Sequence, residues 1–144
     1  MSDYSTIILA TDLSDEANQV ADKAAALAKN NGATLHMVHV VEPLSFAYGG
    51  DIPMDFSGIQ DEIQKQAESQ MAEFATQYNV AGEQQHVLVG RAENEIHSLA
   101  DELKAELVVV GSHGRHGIAL LLGSTANGIL HGANCDVLAV RVGN

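Results

Sequence analysis

Cysteine is nearly missing from this sequence, and basic residues are scarce. The chain of 144 residues has a single cysteine, Cys135, so no disulfide can close within it. That fits a reducing compartment. Lysine and arginine number 7 against 19 acidic residues, a net charge of −12. An acidic excess of this size argues against nucleic acid and anionic membrane surfaces, since both are polyanions. Long hydrophobic runs are missing too. Ile7–Ala10 is short and lacks the basic flank of a signal peptide. No run approaches the ~18 apolar residues of a bilayer span. The expectation is a soluble, cytoplasmic protein with no membrane insertion, folded as one domain over residues 1–144.

What is present alternates between strand and helix. Thr6–Ala10 reads as a first strand, and Ser14 as a cap for the next helix, with Asp15 and Glu16 in its first turn. Ala17, Val20, Ala21, Ala24, Leu27 and Ala28 recur at helical spacing up to the stop at Asn30-Asn31-Gly32. Thr34–Val41 is a second strand, and Pro43 forbids its continuation. Glu42–Ser57 is the longest irregular segment. Gly58–Tyr78 and Ala92–Lys104 read as helices on either side of a strand at Gln85–Val89. Leu107–Val110 and Val137–Val142 read as the last two strands, joined through a helix from about Ser124 to His131. Such alternation with near-continuous apolar strands implies an α/β fold, an open five-stranded parallel sheet with helices on both faces. The doubly wound order 3-2-1-4-5 then puts a ligand where the winding reverses, at the carboxyl ends of strands 1 and 4. Those ends are Thr11-Asp12 and Gly111–Gly114.

The same place stands out chemically. No Asp or Glu occurs from Leu107 through Cys135, despite the acidic total. Gly111, Gly114 and Gly123 punctuate that window, and Ser124-Thr125 open the following helix. Glycines let backbone N–H groups approach an anion, and a helix N-terminus adds partial positive charge. Arg115 could add charge-assisted hydrogen bonds to a terminal phosphate. The competing reading is a structural loop with Ser124 as a helix cap and Arg115 in solvent.

ATD-x-S after strand 1, LHMVHVVEP through strand 2, and VVVGSHGRHG…LLLGST…NCDVLAVRV near the end resemble a universal stress protein. The resemblance covers nearly the whole chain, least in Ser45–Gln84, and implies the adenine nucleotide alpha hydrolase-like, Rossmann-like sheet. It also implies homodimers and, in one branch of the family, ATP at the glycine loop. That branch carries Gly, two residues, Gly, nine residues, then Gly with Ser or Thr. Here Gly111, Gly114 and Gly123-Ser124 match, but only eight residues, Arg115–Leu122, fill the longer gap. By the same resemblance Asp12 accepts hydrogen bonds from adenine or ribose, and Ala10, Thr11 and Val40 line the adenine pocket. Val110, directly before the first glycine, joins the candidate set. The implied ligand is ATP or a related adenine nucleotide, with magnesium as its companion ion. Read without the resemblance, Asp12 is a turn residue and Val40 is core.

Other chemistries find less support. His36 and His39 lie three apart on a strand, which turns them to opposite faces. His113 and His116 sit in the glycine window, and no Cys or His cluster completes a zinc set of about four ligands. No metal site is expected. Cys135, just before the last strand, reads as a small buried residue. No nucleophile–base–orienter set appears, so no catalytic residue is assigned and any ATP hydrolysis would be slow. A dinucleotide enzyme would want GxGxxG before helix 1, where ATDLSD stands instead. The last strand, Val137–Val142, falls at an open edge with no proline or lysine. Such an edge invites a second copy in an isologous contact. The functional expectation is therefore a nucleotide-binding, stress-response regulatory homodimer. The alternative is an interaction module of the same fold that binds no nucleotide and acts through protein partners.

Overall fold

The computed structural model describes residues 4–42, 57–113, 129 and 133–142. Five strands form one sheet: β1 (Thr6–Ala10), β2 (Thr34–Val41), β3 (Gln85–Val89), β4 (Leu107–His113) and β5 (Asp136–Val142). All neighbours pair in parallel, in the order β3-β2-β1-β4-β5. The helices among the described residues are α1 (Ala17–Asn31), α2 (Ser57–Thr76) and α3 (Ala92–Leu103). No helix among these residues is long and apolar enough to cross a membrane.

Pleating explains why both faces are buried. Successive strand side chains point to opposite sides, so a strand apolar at every position needs cover above and below. Ile7 and Leu9 of β1 point one way, with Leu35 and Met37 of β2 and Val109 of β4. They pack against Val20, Ala21, Ala24 and Ala28 of α1 and Met71 and Phe74 of α2. Ile8 of β1 points the other way, with Val38, Val108 and Val110. It meets Ile96, Leu99 and Ala100 of α3, together with Ile129, a fully buried residue in helical backbone. Burying one such side chain contributes about 1.5–3 kcal/mol. The alanine face of α1 lets that helix lie close on the sheet.

The predicted order agrees with the structure; β5 and α2 each begin one residue earlier than expected, at Asp136 and Ser57, and three further places differ. The first is the start of α1. Helical backbone begins at Ala17, and Ser14 closes a turn before it, its carbonyl accepting from Ala17 N at 3.0 Å. Asp15 and Glu16 therefore precede the helix, and no side chain caps it. The hydroxyl of Ser14 accepts from Glu16 N at 3.3 Å instead, a local bond that competes with capping. The second is β4, which runs on through Gly111 to His113 because β5 continues beside it, pairing Gly111 with Val140 and His113 with Val142. The third is the ends of the later helices: α2 stops at Thr76 and α3 at Leu103, where Lys104 takes a left-handed φ of 56° and closes the last turn. Gly32 plays that part for α1 with φ 65°. Of the predicted helix from Ser124 to His131, only Ile129 is among the described residues.

Candidate functional site

The carboxyl end of β1 is a wired turn. Thr11 N donates to Val38 O at 2.9 Å, so the chain is still tied to β2 as it leaves the sheet. Leu13 then adopts a left-handed φ of 57°, a conformation that costs a non-glycine residue free energy. Local bonds hold it there. Leu13 N donates to Thr11 Oγ1 at 3.0 Å, and Ser14 N donates to Asp12 Oδ1 at 2.9 Å. The Asp12 carboxylate is thus fixed by its own turn while the residue stays exposed. A further bond enters from β2, where His39 Nδ1 donates to Thr11 O at 2.9 Å.

Sequence reasoning put eleven residues at this site. The structure brings together the apolar ones it describes: Ala10, Val40 and Val110 belong to one cluster, on the α3 side of the sheet. Thr11 and Asp12 follow Ala10 directly at the strand end. Gly111 is half-buried at the corresponding end of β4, beyond Val110 and inside the strand rather than after it. Gly114, Arg115, Gly123, Ser124 and Thr125 lie outside the described residues.

The histidines of β2 do face opposite ways. His36 meets His86 of β3, Nδ1 to Nε2 at 3.1 Å, with the rings stacked at a 5.3 Å centroid separation. Such a bond needs one donor and one acceptor, so at least one ring is neutral. Burial holds both below the ordinary histidine value. His86 adds to the lowering at His36, while Glu102 pulls His86 the other way. This pair had no signal in the sequence, because His36 and His86 are fifty residues apart. The contact of His39 with Thr11 was equally hidden, since it joins two strands across their ends. On α3, His97 Nε2 donates to the carbonyl of Ile129 at 2.8 Å, tying that helix to the backbone of this buried residue.

No group of three or more His, Cys, Asp or Glu side chains among the described residues could hold a metal ion. Cys135 is half-buried rather than buried, and burial pushes its thiol up, reinforced by Asp136 and Asp101. A thiol held protonated in acidic surroundings is a poor nucleophile. The β1 turn sets the oxygens of Thr11 and Asp12 beside an apolar wall of Ala10, Val40 and Val110.

Comparison with known proteins gives a consistent picture. The model of the universal stress protein family matches residues 3–141. Universal stress protein A homolog 1 of Coxiella burnetii is 44% identical over 139 residues, covering 95% of this chain and 96% of its own. A universal stress protein solved in complex with cAMP is 25% identical, with a TM-score of 0.63 over 96% of this chain and 97% of its own. The universal stress protein UspA from Lactobacillus plantarum is 20% identical and has a TM-score of 0.76 over 98% of this chain and 100% of its own. That last likeness concerns the fold.

Proposed function

The chain belongs to the universal stress protein family, and on that premise we propose that it binds an adenine nucleotide at the carboxyl ends of β1 and β4. The single domain of residues 1–144 then acts as a nucleotide-responsive regulatory homodimer in the cytoplasm. The observation that carries this reading is the convergence of Ala10, Val40 and Val110 in one apolar cluster, next to the hydrogen-bonded turn that holds Asp12. The apolar wall takes the adenine face, and the Asp12 carboxylate accepts from adenine or ribose. Phosphates fall to the glycine-punctuated stretch from Gly111 through Gly114 to Gly123, Ser124 and Thr125, which carries no acid and has Arg115 within it. Magnesium would sit with the phosphates. The family relative solved with cAMP supports the adenine class and leaves the length of the phosphate chain to experiment.

Calorimetry decides the matter. The expected affinity for ATP is micromolar, about −8 kcal/mol at ~1 μM. Gly114→Val should abolish it, because a branched side chain stands where backbone must approach phosphate. Wild-type protein giving neither heat nor a thermal shift at millimolar ATP would make the chain an interaction module. Comparing ATP, AMP and cAMP in the same experiment identifies the preferred phosphate. Hydrolysis is expected to be far slower than the ~10 s⁻¹ typical of enzymes.

A further inference from the structure

Three observations at the β1 turn point to position 39. First, the turn after β1 contains a strained residue, Leu13 at φ 57°, and strain of this kind persists only where the surroundings hold it. Second, the bonds at Leu13 N and Ser14 N are internal to the turn, with acceptors Thr11 Oγ1 and Asp12 Oδ1. They shape the turn without anchoring it to the sheet. Third, two bonds from β2 do anchor it: the backbone bond from Thr11 N to Val38 O, and the bond from the His39 side chain to Thr11 O. The peptide carbonyl of Thr11 precedes Asp12, so its orientation sets the direction in which Asp12 leaves the strand.

We propose that His39 is a positioning residue of the nucleotide site, clamping the Thr11 carbonyl from the opposite face of β2 and so fixing where the Asp12 carboxylate stands. The inference rests on reading the β1 end as the nucleotide site. Alternation along β2 makes the division of labour possible. Val40 packs with Ala10 and Val110 on the α3 side, and the residue before it necessarily points to the other side. One strand end thereby supplies a wall residue and a clamp. The chemistry fixes the tautomer. A carbonyl oxygen only accepts, so the hydrogen resides on Nδ1.

The test compares His39→Leu, His39→Asn and His39→Gln. Asparagine places an amide N–H near the position of Nδ1, whereas glutamine carries its donor one bond too far. The leucine and glutamine variants should show amide exchange at Leu13 and Ser14 about tenfold faster and ATP affinity about tenfold weaker, the effect of losing one hydrogen bond. The asparagine variant should restore both. Should leucine fail to fold, the contrast between asparagine and glutamine carries the same decision. Unchanged ATP affinity in the glutamine variant overturns the proposal, and so does faster exchange with no loss of binding. A wild-type protein that binds no adenine nucleotide removes the site itself. That result is separable, because it appears before any substitution is made.

Discussion

Replacing Gly90 by alanine tests how the structure joins β3 to α3. Gly90 follows the last residue of β3 at φ 152°, a region open to glycine and strained for any L side chain. Its amide donates to Val41 O at 3.1 Å, so the backbone is pinned to the end of β2 and cannot relax freely. Two penalties can be separated. A Cβ at this position would stand 2.7 Å from Glu95 Oε2 and 2.9 Å from Glu95 Cγ, closer than real contacts allow. Those atoms belong to a flexible side chain, so rotation of Glu95 relieves that clash cheaply. The dihedral strain remains, at about 1–3 kcal/mol. For a chain of this length, 2 kcal/mol corresponds to a fall in melting temperature of roughly 4–8 °C. Urea denaturation of Gly90→Ala, Glu95→Ala and the double variant measures both parts. The single Gly90→Ala change should cost about 1–3 kcal/mol, and removing the Glu95 side chain should recover less than ~0.5 kcal/mol of it. A loss under ~0.5 kcal/mol would show that the backbone tolerates a side chain there. Full recovery in the double variant would put the cost on the clash and refute the strain argument.

Acid should weaken the fold through His36 and His86. Both are held below the ordinary value of 6.5, so between that value and their native values the unfolded chain binds more protons than the native one. The contribution is complete above about pH 6.5 and is lost as pH falls below it. Urea midpoints at pH 7.5 and 5.5 should differ more for wild type than for His86→Gln; equal differences would count against the pair. Assembly is tested at Leu138, which is exposed on β5. Val140 is unsuitable for the purpose, being buried and paired with Gly111, so a proline there would damage the monomer as well. Light scattering at micromolar concentration should give twice the single-chain mass for wild type and a shift toward one chain for Leu138→Lys. A single-chain mass for wild type would remove the β5 dimer.

The fold was legible because its signals are local. Apolar runs at Thr6–Ala10, Thr34–Val41 and Leu107–Val110, separated by helical repeats such as Ala17, Ala21, Ala24 and Ala28, already require a parallel sheet covered on both faces. That architecture then makes the strand ends the expected place for a ligand without any motif. The extension of β4 was not legible, because a strand ends where its partner ends. Gly111 reads as a breaker until β5 supplies Val140 opposite it. The start of α1 was misread because Ser14, Asp12 and Thr11 spend their oxygens on nearby backbone amides, a choice that sequence spacing cannot rank against capping. The sequence by itself therefore determined the alternation of elements, the two-sided core, and the family with its glycine and Asp12 positions. Only the tertiary structure decided which side chains meet across strands, namely His39 with the Thr11 carbonyl and His36 with His86. Those contacts depend on strand register, and register is set by the packing of both faces together, which no short stretch of the chain encodes.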